Sequence, residues 1–167
     1  MKMKRTNITD AAPLVLFAFF TVLAASVMLM GAGLYRSQTE SNRSAWEKRT
    51  ASQYLSMRIR QSDTIGAFFV GDFDAKEPCG SGDTFFTLEM HDGVLYSTRI
   101  YVWDGNLCEL FAPHETDFKR EDGEVLTALS ELKFIHEGDR LEARLGFADG
   151  TDQELIFTLR SSGEDLP

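Results

Sequence analysis

Between Ala11 and Tyr35 the chain runs for 25 residues without a charge, rich in Leu, Val, Phe, Ala and Met. A helix needs about 20 such residues to cross a hydrocarbon core of about 30 Å, so the run predicts a membrane-spanning helix with some tilt. The competing reading is a cleaved secretory signal. Its apolar core is typically about 7–15 residues, shorter than this run, and Ala24, Ala25, Ser26, Gly31, Ala32 and Gly33 form no clear cleavage site. Pro13 falls in the first helical turn, where its missing N–H costs little.

From Arg36 to Asp63 the pattern is helical and mostly polar. Ala51, Leu55 and Ile59 recur at i, i+4 and i+8, flanked by Tyr54 and Arg58, giving one narrow stripe able to pack. No proline lies between Pro13 and Pro78. Anchor and stalk therefore read as one helix of about 50 residues, with Gly31 and Gly33 the place for a bend.

Beyond Asp63 the period changes to two. Thr84–Met90 and Val94–Trp103 flank a short loop at His91-Asp92-Gly93, and Asp104-Gly105 turns the chain into Asn106–Phe111. Leu132–Glu137, Arg140–Phe147 and Glu154–Arg160 follow, with turns at Gly138-Asp139 and Asp149-Gly150. Leu141, Ala143, Leu145 and Phe147 face one way while Arg140, Glu142 and Arg144 face the other; Leu155, Phe157 and Leu159 match the apolar set. Such strands predict an antiparallel sheet with one wet face. The Ala51/Leu55/Ile59 stripe is the available cover for its dry face. Val125, Leu126, Leu129 and Leu132 suggest a helical turn before the fifth strand. The fold class is thus α+β, with residues 1–10 as a tail, 11–35 as the span, 36–63 as the stalk and 64–167 as the sheet domain.

Composition sharpens this layout. Of 167 residues, 43% are hydrophobic and 26% charged, which excludes disorder for the bulk of the chain. The net charge of −9 argues against a nucleic-acid partner. That average hides a division: residues 1–10 carry +2, 36–63 carry +3 and 64–167 carry −14. The short basic tail belongs in the cytoplasm and the body outside, by the positive-inside bias, so a single-pass cell-membrane protein is expected.

Two cysteines exclude a disulfide-rich scaffold and a four-cysteine zinc site. Outside the membrane, Cys79 and Cys108 are a disulfide candidate closing a loop of about 30 residues; two unpaired thiols are the alternative. His91, His114 and His136 share no ligand spacing. Asp72, Asp74 and Glu77, and Asp149, Asp152 and Glu154, offer oxygen ligands for calcium, but neither group fits the EF-hand loop. Gly80-Ser81-Gly82 has no nameable base for a serine nucleophile, and no hydrolase, nucleotide-binding or zinc-protease motif appears. No catalytic residue, metal or cofactor is expected.

The stretches Tyr54–Asp63 (YLSMRIRQSD), Leu95–Phe111 (LYSTRIYVWDGNLCELF) and Leu132–Arg160, with its LKF, DG and final TLR, carry a resemblance. Together with the layout, the chain resembles type IV pilins and the minor pseudopilins of type II secretion and competence systems. It looks most like an uncharacterised Gram-positive pilin-like family. The resemblance implies a long N-terminal helix packed on an antiparallel sheet, and pilin-like subunits or a secretion platform as partners beside the lipid bilayer. Pilins carry a glycine just before the apolar segment and a glutamate five residues after the cut. Here the first glycine is Gly31 and no glutamate precedes Glu40, so a membrane-retained assembly component is expected. In such an array Arg43, Lys48 and Arg49 would approach a neighbour's acidic body, or else meet anionic headgroups. A membrane-tethered extracytoplasmic binding or sensing module is the alternative.

Overall fold

The computed structural model describes residues 8–65 and 67–160, with side-chain surroundings for 13–31, 38–63 and 67–160. The chain divides into two compact units, residues 1–43 and 44–167. In the first, α1 (Ile8–Ile65) begins. Its segment Pro13–Gly31 is 19 residues long with a mean hydropathy of 2.4, long and apolar enough to cross a membrane. The hydroxyls in this run are returned to the helix itself. Thr21 Oγ1 donates to the Ala18 carbonyl and Ser26 Oγ to the Val22 carbonyl, both at 2.8 Å, so neither needs water.

Among the described residues, the second unit holds the rest of α1 and nine strands. Five form an antiparallel sheet in the order β1 (Phe68–Gly71), β3 (Thr84–His91), β4 (Val94–Trp103), β5 (Asn106–Pro113) and β6 (Glu124–Ala128). The other four form a second antiparallel sheet, β2 (Ser81–Gly82), β7 (Glu131–Glu137), β8 (Arg140–Gly146) and β9 (Asp152–Thr158). The tight turns follow from residue type. Asp92-Gly93 and Asp104-Gly105 both place two successive residues at positive φ, the backbone of two-residue hairpin loops that match strand twist.

The stripe Ala51, Leu55 and Ile59 is at most 1% exposed and lies in one core cluster with residues of both sheets. Phe68, Phe85, Ile100 and Leu107 reach it from the larger sheet, and Leu132, Phe134, Leu141, Ala143 and Leu145 from the smaller. Tyr54 packs against its margin.

Two expectations are corrected. The body is two sheets rather than one with a single wet face. The larger sheet is buried on both sides: Phe68 stacks on Phe85 at 5.8 Å on one face and Phe69 on Phe86 at 4.3 Å on the other. Only the smaller sheet keeps the alternation of a wet outer face. The expected helical turn around Val125 and Leu126 is instead strand β6, because its backbone finds partners along β5, from Asn106↔Ala128 to Glu109↔Glu124. Leu129 then turns inward, 1% exposed.

Candidate functional site

Where α1 meets the sheets, its polar residues make specific connections. Tyr54 and Arg58 are one turn apart, so both side chains lie on one flank of the buried stripe. Both converge on Glu109 of β5. The Tyr54 hydroxyl donates to one carboxylate oxygen and the Arg58 guanidinium to the other, while Arg58 Nε donates to the Tyr54 oxygen at 3.1 Å. Burial, reinforced by the Glu109 carboxylate, pushes the Tyr54 phenol up to about 12. Burial works against the charge of Arg58, but Tyr54 and Glu109 outweigh it and raise its pKa. The arrangement is a closed ionic junction, with every member partnered inside the chain.

Further along the helix, Lys48 Nζ donates to Asp149 at 2.6 Å and lies 5.6 Å from the Phe147 ring. Ser44 Oγ also donates to Asp149, at 3.2 Å, and Ser52 Oγ to Gln153 Oε1 at 2.7 Å. Asp149 additionally accepts from Thr151, fixing the β8–β9 loop against α1. The Lys48 ammonium, followed by the Thr151 hydroxyl, holds the Asp149 carboxyl well below the ordinary carboxylate range. Of the three bases expected to reach a neighbour, Lys48 is thus engaged with its own body. Arg49 is exposed; Arg43, also exposed, has an interaction of its own within the chain.

A carboxyl with a depressed folded pKa stabilises the fold above its unfolded value, 3.8 here, and that contribution is lost as pH falls towards the folded value. The contribution of Asp149 is therefore expected to decline progressively as pH falls below 3.8, with the loop held to α1 until the folded carboxyl itself is protonated. Carboxyl chemical shifts followed against pH check this. Asp149 should titrate well below the ordinary carboxylate range in the wild type and move up towards it in Lys48→Met.

The second polar centre lies beneath the loops that cover the far face of the larger sheet. Arg99 of β4 is 1% exposed. Its guanidinium donates to the carbonyls of Phe73, at 3.5 Å, and His114, at 3.2 Å, and lies 5.3 and 5.7 Å from the Phe73 and Phe86 ring centres. Burial lowers its pKa, opposed by the charges of Asp74 and Asp117. His114 is 2% exposed, its Nε2 is 3.2 Å from the Lys76 carbonyl, and Lys76 Nζ donates back to the His114 carbonyl at 2.9 Å. Arg99, Lys76 and His114 thus tie residues 72–76 to residues 113–117 over the sheet. Replacing Arg99 with methionine nearly keeps the volume and removes its donor contacts to the Phe73 and His114 carbonyls and to Ser97 Oγ. Amide exchange of residues 73–76 and 114–117 is expected to accelerate more than tenfold, with the β7–β8 amides unchanged as the control.

Cys79 and Cys108 are both free, which corrects the expected bridge. The Cys79 amide is bonded to Val70 of β1, whereas Cys108 lies on β5, three strands away across the sheet. Three inter-strand spacings are about 14 Å, against the 7 Å or so that a disulfide spans between Cα atoms. Cys108 instead packs with Phe73, Tyr101, Leu110 and Ala112, and burial pushes its thiol up, which makes it a poor nucleophile. His91 is exposed beside Asp92, and His136 packs against Phe68 at 5.5 Å. Among the described residues no group of three His, Cys, Asp or Glu side chains is arranged to hold a metal ion. Ser81 pairs with Ile135 as part of β2.

Sequence reasoning named the stripe but missed both polar centres. Tyr54 and Arg58 were legible as neighbours of the stripe. Glu109, between Cys108 and Leu110, carried a signal only as an acid at a position that alternation sends towards the helix. Arg99 carried none.

The family comparison covers this same region. Residues 46–145 match the family model described as Domain of unknown function (DUF4860). The chain belongs to this family. In this DUF4860 member the matched segment starts at Trp46, just inside the second unit, and takes in the stripe, the Tyr54–Arg58–Glu109 junction and Arg99. It ends at Leu145, before β9. No curated protein and no solved structure matches the chain.

Proposed function

We propose that this protein is a membrane-anchored structural or assembly component of a type IV pilus, type II secretion or competence-like system, in the manner of a minor pseudopilin. The observation that carries the reading is α1 itself. One helix begins with the apolar segment Pro13–Gly31 and later supplies Ala51, Leu55 and Ile59 to the core of an antiparallel-sheet body. Anchor and core element are one piece of chain, the layout that the resemblance to pilins implies. The polar centres support a structural role, because the Tyr54–Arg58–Glu109 junction is consumed in joining helix to sheet.

Topology and partnership test this separately. With Cys79 changed to serine, a cysteine at Asp149 is expected to react with an impermeant maleimide on intact cells, and one at Arg5 is not. The inverse pattern overturns the orientation. A photo-crosslinker at Arg49 is expected to capture pilin-like subunits in the native membrane, and neighbouring Glu47→Arg to leave insertion intact. Capture of lipid alone overturns the assembly reading.

A further inference from the structure

α1 covers only part of the face that the larger sheet turns towards it. Its stripe packs with Phe85, Ile100 and Leu107, its Ser62 hydroxyl lies 2.9 Å from that of Thr87, and Tyr54 and Arg58 end on Glu109. The same face continues past these contacts towards the β3–β4 hairpin. There Phe111 pairs with Thr98, Tyr96 with Glu89, and Val94 with His91, and alternation from Ile100 and Glu109 keeps all six on the helix side. No described element covers this end: Phe111 is 59% exposed and Val94 46%. The Phe111 and Tyr96 rings stack at 5.1 Å with 14° between their planes, and His91 stands edge-on to Tyr96 at 6.4 Å. Apolar residues exposed singly need no explanation, whereas a contiguous group marks a place of contact.

A surface that matches this shelf lies on the side of α1 away from the core. Trp46, Arg49, Gln53 and Met57 recur at i, i+3, i+7 and i+11, so they share one helix face. All four are exposed, Trp46 by 62% and Met57 by 55%. The stripe is apolar at both ends with a base between them. The shelf is apolar at both ends, Val94 and Phe111, with the exposed acid Glu89 between them. Trp46 and Met57 are about 16 Å apart on a helix that rises 1.5 Å per residue. The Val94 and Phe111 rows are about 14 Å apart along the strands. With Trp46 at the Val94 end, Arg49 stands about 5 Å along the stripe and Glu89 about 7 Å along the shelf. Among the described residues neither Arg49 nor Glu89 has an ion-pair partner in its own chain.

We propose that the outer stripe of α1 in one copy of this chain docks on the aromatic shelf of a second copy. Trp46 and Met57 are the apolar anchors of a helix laid on an apolar floor, and the Arg49–Glu89 pair sets its register. The occupant is a second copy because both halves of the contact, matched in spacing, polarity and charge, are carried by this one chain. The body is strongly acidic, −14 over residues 64–167, so two bodies repel each other and a basic helix face is the surface the shelf attracts. The two surfaces differ, so the contact is head-to-tail and each copy keeps one surface of either kind for the next. Both surfaces lie in the second unit, so the inference rests on neither the anchor nor the secretion-type partners proposed above.

The test uses the purified full chain in detergent, mixed from ordinary and isotope-labelled protein, with a benzophenone photo-crosslinker in place of Phe111. Crosslinks between the two isotopic forms are expected, joining position 111 of one copy to residues 46–57 of the other. Arg49→Glu and Glu89→Arg should each lower the yield at least fivefold when present alone. Mixed with each other they should restore it, since every stripe then meets a shelf of opposite charge. Both change exposed residues, so their melting temperatures should match the parent's, which separates lost contact from lost fold. No crosslink between copies, crosslinks to another part of the second copy, or no recovery in the mixture overturns the proposal. In native membranes the same probe should capture this chain itself; capture of a different protein without a second copy makes that protein the occupant and overturns it too. The purified protein contains no secretion partner, so this result is separate from that of the crosslinking at Arg49 above.

Discussion

Replacing Gly82 with alanine is expected to destroy the cooperative fold of the sheet unit, the largest effect of any single methyl added to this chain. Gly82 of β2 crosses Gly71 at the end of β1, where the edges of the two sheets meet. A Cβ at Gly82 would sit on the Gly71 carbonyl carbon and oxygen, which are backbone atoms and cannot swing aside. A Cβ at Gly71 meets the Ala75 side chain at 2.7 Å instead, a single methyl rather than backbone atoms. Overpacking in a tight core costs about 1–3 kcal/mol when side chains relax, and more when backbone must move. Gly82→Ala is therefore expected to cost upwards of about 3 kcal/mol, and Gly71→Ala clearly less. Thermal unfolding of both variants in detergent checks the order. Equal melting temperatures would mean that the sheets separate easily at this crossing.

The second large effect is expected at Leu55, fully buried where α1 meets both sheets. Leu55→Ala removes three methylene-sized groups from a site bounded by helix and strands, which cannot collapse to fill it. Such truncations cost about 2–5 kcal/mol. At about 3 kcal/mol the melting temperature of a unit of this size falls by roughly 10–15 °C. Met57, on the same helix but 55% exposed, is the internal control, and Met57→Ala should shift the midpoint by about 2 °C or less. A small loss at Leu55 would show that the helix is not a core element of the body.

The elements that could be read from sequence were those whose side chains alternate in a single environment. β4 spans Val94–Trp103 as its pattern predicts, and β7, β8 and β9 differ from expectation only at their ends. The last three each have one dry face, so period and burial agree there; β4 is buried on both faces from Ser97 to Tyr101 and was legible from the turns that bound it. The larger sheet defeated that logic at its β1 edge, whereas β3, expected over Thr84–Met90, was legible from the hairpin loop that follows it. β1 is buried at all four positions and β3 at its first five, giving short apolar runs whose period conveys nothing. β2 is two residues of Ser and Gly, defined wholly by its partner. Charged residues misled for a related reason. Alternation puts Arg99 opposite Ile100 in direction, which reads as a solvent position, yet the covering loops make that face interior too. Cys79 and Cys108 looked like a pair because only two existed, whereas pairing depends on strand order, which spacing along the chain does not contain.

Synthesis begins at the end of the chain that the fold uses last. The hairpins β3–β4, β4–β5 and β7–β8 close between near neighbours, each as soon as its second strand emerges. α1 has no such option. Ser52 awaits Gln153 and Lys48 awaits Asp149, partners each 101 residues later. At translation rates of about 5–20 residues per second, that is an interval on the order of 5–20 s. Until β7, β8 and β9 emerge, Ala51, Leu55 and Ile59 lack the part of their cover that the smaller sheet supplies, directly downstream of a segment suited to enter the bilayer. The chain therefore has a long period in which its apolar stripe is available to a chaperone, a membrane surface or another helix. Slowing translation after Phe147 should lengthen that period without altering the finished fold.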